Sequence, residues 1–243
     1  MYKVNLLNNI KSKKLEVFNS EKYTVAADIE SPDAMMLRSA KIHDMEFNPE
    51  LLCIARAGAG YNNIPIDRCA EEGIVVFNTP GANSGAVKEL VICSLFLSSR
   101  DILGGIDWVK TVVDKGDEIP ALVEKEKARF VGPEILGKTI GVIGLGAIGA
   151  KIAEAALGLG MEVYGYDPYI SVDAAWHLAS KVKRASDLDT IYKNSDFISI
   201  NVPYMEATKQ FINKETIAKM KPGVRVLNAA RAELVNDDDM IAA

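Results

Sequence analysis

The stretch Thr139-Ile140-Gly141-Val142-Ile143-Gly144-Leu145-Gly146-Ala147-Ile148-Gly149 decides the fold. Its first five residues form a short apolar run with strand character. The remainder has the form G-x-G-x-x-G and opens a helical pattern over residues 149–160. Glycine-rich turns are common, so the motif alone says little; the strand before it and the helix after it give it meaning. Gly144 permits a tight turn, Gly146 lets a ligand approach the backbone, and Gly149 lets the helix pack close to the strand. The unpaired N–H groups at the helix start then suit a phosphate.

Such a motif calls for an acid at the end of the next strand, roughly 20 residues on. Tyr164-Gly165-Tyr166-Asp167 supplies it, with Asp167 23 positions after Gly144. A carboxylate there accepts hydrogen bonds from ribose hydroxyls and repels a 2′-phosphate. The pair of signals therefore points to a dinucleotide, NAD rather than NADP. A turn-starting role for Asp167 before Pro168 is compatible with this.

Outward from the motif, short apolar runs alternate with helical patterns, as in parallel α/β proteins. Strands are expected over residues 2–7, 24–29, 34–38, 51–55 and 74–78. A second set follows at 139–144, 161–166, 197–202 and 224–228, with a weak one near 181–184. Amphipathic helices are expected at 10–18, 66–72, 149–160 and 214–219. From Ser84 to Lys115 the pattern is helical, broken at Gly104-Gly105 and apolar almost all round, so burial between domains or subunits is expected. Residues 116–137 read as an irregular connection. The expected division is a substrate domain over 1–97 and a dinucleotide-binding domain over 98–243.

Composition narrows the function classes. The 243 residues are 49% hydrophobic and 25% charged, with a net charge of −5. An ordinary globular chain without basic excess is a poor partner for nucleic acid or anionic membrane. The N-terminus lacks the apolar core of a signal peptide. Cys53, Cys69 and Cys93 have no paired spacing. They read as reduced packing residues of a cytoplasmic protein, with no metal site.

Further candidates lie where strands end, because ligands bind beyond the carboxyl ends of parallel strands. Asn201-Val202-Pro203 and Asn228-Ala229-Ala230-Arg231 end two of the second set. Arg231 could hold a carboxylate bidentately and polarise a carbonyl; a surface pairing with Glu233 is the structural alternative. In the first set, Arg56-Ala57-Gly58-Ala59-Gly60 offers backbone N–H groups in an anion nest beside a positive charge. A tight turn with a solvated arginine would look the same. Asn78-Thr79-Pro80-Gly81 follows the next strand and could be only a joining turn.

Taken together, these residues resemble the D-isomer-specific 2-hydroxyacid dehydrogenases, most closely the D-3-phosphoglycerate dehydrogenase branch. Four blocks carry the resemblance: residues 56–60, 73–80, 130–149 and 226–231. It runs along essentially the whole chain, and the order of the blocks is more specific than the glycine motif. The resemblance implies a flavodoxin-like substrate domain, a Rossmann-type domain for NAD, and a small 2-hydroxy or 2-keto acid as substrate. It implies that Arg231 is catalytic and that Gly58, Ala59 and Gly60 face the substrate carboxylate. Arg56 would suit a phosphate, hence D-3-phosphoglycerate, the first substrate of serine biosynthesis. Thr79, Gly144, Gly146, Ala147, Ile148, Gly149, Asp167, Val202, Pro203, Ala229, Ala230 and Arg231 match cofactor-contacting positions. A glyoxylate or glycerate type of substrate, or a non-catalytic NAD-sensing module like the family's corepressor, are the alternatives.

Three departures matter. Ala232 stands where the family usually has Gly, and Ala147 where Arg is common. The family's acid and histidine lie beyond the catalytic arginine, whereas only twelve residues follow Arg231 here. Neither His43 nor His177 matches the family's catalytic position. The expectation is a nucleotide-binding domain incomplete on its C-terminal side, inactive as 243 residues, from a longer homodimeric enzyme.

Overall fold

A computed structural model of the protein describes residues 1–8, 10 and 17–243. The expected helix at 10–18 therefore lies almost wholly outside the described residues. The chain forms two compact units, Met1–Asn83 and Ser84–Ala243.

The first unit holds five parallel strands: β1 (Tyr2–Leu6), β2 (Tyr23–Ala26), β3 (Ala34–Leu37), β4 (Cys53–Arg56) and β5 (Val75–Phe77). Their order, β2-β1-β3-β4-β5, is that of flavodoxin-like sheets. Helix α1 (Ile66–Glu71) connects β4 to β5. One face of the sheet carries a compact core of Met35, Leu37, Ile42, Ile54, Ile64 and Cys69.

The second unit opens with α2 (Ser84–Ser99), α3 (Ile102–Lys110) and α4 (Ile119–Glu126). The βα series follows: β6 (Thr139–Ile143), α5 (Gly149–Gly158), β7 (Glu162–Tyr166), α6 (Val172–Trp176), β8 (Lys183–Arg184), α7 (Leu188–Asn194) and β9 (Phe197–Ile200). It ends with α8 (Lys214–Ile217), β10 (Arg225–Asn228) and α9 (Asp237–Ile241). The strand order is β10-β9-β6-β7-β8, with every pair parallel. Counted within the unit this is the Rossmann order 3-2-1-4-5 from the other edge, and it reverses direction at β6. Ile140, Val142, Phe197 and Ile198 are buried, as expected of central strands covered on both faces.

Three sequence expectations need correcting. The units divide at Asn83, not after residue 97, because α2 packs on α5 and β10 within the second unit. The helical pattern breaks at Arg100 and Asp101, not at Gly104-Gly105: the Asp101 carboxylate accepts from the Gly104 N–H at 2.9 Å and caps a new helix. The stretch 116–137 is not irregular throughout, since Pro120 stands in the first turn of α4, where its missing N–H costs nothing. Within the second unit α2 packs through Val91 and Leu95, while Leu90 is 59% exposed and Cys93 is exposed.

Candidate functional site

In the second unit, the carboxyl ends of β6, β7, β9 and β10 lie side by side. The Gly144 N–H donates to the Tyr166 carbonyl at 2.8 Å, and the Asn201 N–H donates to the Ile143 carbonyl at 2.8 Å. This brings the glycine turn, Asp167, Val202-Pro203 and Ala229-Ala230-Arg231 to one edge of one sheet.

The glycines of the turn are there for different reasons. Gly144 has a φ of +88°, a left-handed backbone that side chains resist. A Cβ on Gly149 would lie 1.8 Å from the Gly144 carbonyl oxygen, so α5 can start there only with glycine. A Cβ on Gly146 would meet nothing within 4 Å. Among the described residues no protein atom demands glycine at 146, and the space above it is open. Helix α5 has no side-chain cap at Ile148 and no acid in its first turn; the Ala150 N–H already donates to the Gly146 carbonyl at 3.0 Å, so an anion would meet the N–H groups before it.

Asp167 is held ready beside this turn. Its Oδ2 accepts from the Leu145 N–H and its Oδ1 from the Tyr169 N–H, each at 2.9 Å. The carboxylate therefore braces the turn and keeps lone pairs for ribose hydroxyls. These residues fit a dinucleotide on donor chemistry and on open space at Gly146.

Arg231 follows β10 and is exposed. One terminal guanidinium nitrogen donates to the Ala230 carbonyl at 2.8 Å, and among the described ion pairs none joins it to Glu233. Asn228 shapes this corner: its Oδ1 accepts from the Ala230 N–H at 3.0 Å, and its Nδ2 donates to the Arg231 carbonyl at 2.7 Å.

The first unit presents its own carboxyl edge. The Arg56 Nε donates to the Arg38 carbonyl at 3.2 Å, and the Arg56 guanidinium lies over Gly58, where a Cβ would be 2.0 Å from its nitrogen. The nest is smaller than the sequence suggests: the Gly58 N–H already donates to Thr79 Oγ1 at 2.7 Å. The Thr79 N–H returns a bond to the Gly58 carbonyl at 3.0 Å. Asn78 Nδ2 donates to the Ala59 carbonyl at 2.7 Å.

Two residues missed by sequence reading stand here. Arg38 follows β3 as the neighbour of the strand that ends in Arg56, with Leu37 in register with Arg56. Its signal, a cation just past an apolar run, was the same one that drew attention to Arg56. Asn8 has a φ of +72°, and its Oδ1 accepts from the N–H groups of Arg38, Ser39 and Ala40 at 3.2, 3.0 and 2.9 Å. It fixes the loop whose carbonyl receives Arg56.

The histidines stand elsewhere. His177 follows α6, with its Nδ1 2.6 Å from the Asp173 carbonyl, and the His43 carbonyl accepts from Arg68. Burial pushes the Cys53 and Cys69 thiols up, so neither is an activated nucleophile. Among the described residues no cluster suits a metal ion, and no helix is long and apolar enough to cross a membrane.

Comparison with known proteins agrees with this geometry. Residues 101–243 match the model of the D-isomer specific 2-hydroxyacid dehydrogenase, NAD binding domain. Hydroxypyruvate reductase from Thermotoga maritima is 36% identical over 236 residues, which is 96% of this chain and 72% of that protein. D-3-phosphoglycerate dehydrogenase from Synechocystis sp. is 35% identical over 214 residues, 87% of this chain but 36% of that longer protein. Among solved structures, apo D-mandelate dehydrogenase from Rhodotorula graminis superposes with a TM-score of 0.78 at 25% identity, covering 100% of this chain and 77% of that one. The order of the strands, the glycine turn with its braced acid and the matched residues together make this chain a member of the D-isomer specific 2-hydroxyacid dehydrogenase family, with an NAD-binding domain over residues 101–243.

Proposed function

We propose that the protein is an NAD-dependent dehydrogenase that oxidises D-3-phosphoglycerate at C2 to its 2-keto acid. The observation that carries the substrate is the pair of arginines, Arg38 and Arg56, that follow adjacent strands of the first unit. The Arg56 guanidinium over Gly58, with a second arginine following the neighbouring strand, supports an anionic substrate, because a guanidinium can bind a phosphate or carboxylate through two parallel hydrogen bonds. NAD, when bound, accepts the hydride. The turn at Gly144, Gly146, Ala147, Ile148 and Gly149 would hold its diphosphate, and Asp167 its adenosine ribose. Thr79, Val202, Pro203, Ala229 and Ala230 would line the remainder. Arg231 would grip the substrate carboxylate and draw electron density from the C2 oxygen. Gly58, Ala59 and Gly60 would face the same carboxylate. The group that takes the hydroxyl proton is neither His43 nor His177.

Hydroxypyruvate or glyoxylate is the second reading, favoured by the hydroxypyruvate reductase that this chain matches over most of both lengths. The two are separated by following NADH absorbance with 3-phosphoglycerate, 3-phosphohydroxypyruvate, hydroxypyruvate and glyoxylate. A kcat/KM for hydroxypyruvate above that for 3-phosphohydroxypyruvate would overturn the first.

The reading extends to a cytoplasmic homodimer serving serine biosynthesis. Leu90 and Leu97 on α2 and Leu103, Ile106 and Val109 on α3 are exposed apolar residues that a second copy would cover. Light scattering at micromolar concentration tests this, and a monomer mass would refute it.

A further inference from the structure

Lys151 is the third residue of α5, the helix that begins at the glycine turn. A cation in the first turn of a helix opposes the helix dipole, which favours anions there. Helix α5 has no acid in its first turn to compensate it. Among the described ion pairs none includes Lys151, and its Nζ donates instead to a neutral hydroxyl, Ser84 Oγ, at 2.7 Å. Ser84 is buried and is the first residue of α2. The contact thus joins the positive ends of two helices, and neither has an acid in its first turn. Two helix starts and an ammonium group thus meet at one place.

The glycine turn itself carries no cation, because Ala147 stands at its centre. We infer that Lys151 is a cofactor-binding cation of this chain: it neutralises the dinucleotide diphosphate from the helix, in place of a charge on the turn. This rests on the proposal that the turn binds NAD. Cβ atoms in a helix tilt toward its N-terminus, so a long side chain at the third position reaches back toward the turn. Ser84 then acts as a rest for the ammonium group when no diphosphate is present.

Binding and melting measurements on the whole protein test this. NADH is titrated by fluorescence and ADP-ribose by calorimetry, against wild type, Lys151→Ala and Lys151→Gln. Gln keeps a donor for Ser84 and loses the charge. Both variants are expected to bind about tenfold more weakly, the scale of one hydrogen bond to a charged group. Their affinity should also fall less steeply with added salt, and the ligand-free melting temperature should stay level or rise. Wild-type affinity in Lys151→Gln would overturn the inference, because the Ser84 contact and not the charge would then be the role of the residue. A melting temperature that falls in step with affinity would overturn it as well. Failure of the wild type to bind NADH would instead refute the cofactor reading, and this inference with it.

Discussion

The two glycines Gly146 and Gly149, three residues apart, should respond to the same substitution in opposite ways. In Gly149→Ala the new Cβ would sit 1.8 Å from the Gly144 carbonyl oxygen and 3.3 Å from Val142 Cγ1. The nearest atom belongs to the backbone, so no rotamer change relieves the contact; the turn or the helix must move. Overpacking of this kind costs about 1–3 kcal/mol, and more where backbone shifts. For a unit the size of Ser84–Ala243 that lowers Tm by roughly 2–12 °C. In Gly146→Ala the methyl enters open space. Its effect on folding should stay within about 1 kcal/mol of zero, because alanine also restricts the unfolded chain. In the proposed cofactor site the same methyl stands where the diphosphate would approach, so NADH binding should weaken by at least about tenfold, the equivalent of one lost charged contact. Thermal melts and NADH titrations of both variants, side by side, decide the matter. If Gly146→Ala melts as low as Gly149→Ala, or binds NADH like the wild type, then glycine at 146 answers to the fold, and the assignment of this turn to the cofactor is wrong.

Other outcomes follow from particular side chains. Asp167→Ala should relax discrimination against NADPH and also loosen the turn, because the Leu145 and Tyr169 N–H groups lose their acceptor; kcat/KM for NADH and NADPH reads the first effect and a melt the second. The Asp196 carboxyl lies below its usual 3.8: burial raises it, but the Thr139 N–H and Lys221 bonds outweigh that. A depressed carboxyl stabilises the fold above its unfolded value and loses that contribution as pH falls through the folded one. The Tm gap between wild type and Asp196→Asn should therefore close below about pH 4, and a constant gap would refute the assignment. In the enzyme, Arg231→Ala should cost more in kcat/KM than His43→Ala or His177→Ala. A collapse of turnover in His177→Ala with the fold intact would contradict this.

The parts of the fold that were legible in the sequence are those where local chemistry and tertiary packing agree. Strand β6, its glycine turn and Asp167 all follow from residue type at fixed spacing. Helix α7 went unread although Asp187 caps it, accepting from the Thr190 N–H at 2.7 Å. Seven residues are too few to show a period, and the helix owes its place to packing on β6. There a Cβ on Gly141 would meet Ile191 and Ser195 at 2.5 Å. At the candidate site, Arg56 and Arg231 were readable as cations past strand ends, and Arg38, which carries the same signal, was passed over. Asn8 was not readable, because its role arises only when β1 and β3 pair and bring residues thirty apart together.

Asp196 has a consequence beyond stability. It clasps the opposite end of the sheet from the glycine turn. Its side chain takes the Thr139 N–H and Lys221, its own N–H donates to the Thr139 carbonyl, and its carbonyl takes the Arg225 N–H. Three strands, β6, β9 and β10, are thereby tied where they begin, while the loops that would meet ligand leave from where they end. Selection can rewrite one rim of such a sheet without loosening the other. A family that shares this clasp could exchange one acid substrate for another through loop changes alone, with the scaffold as the inherited part and the rim as the part open to revision.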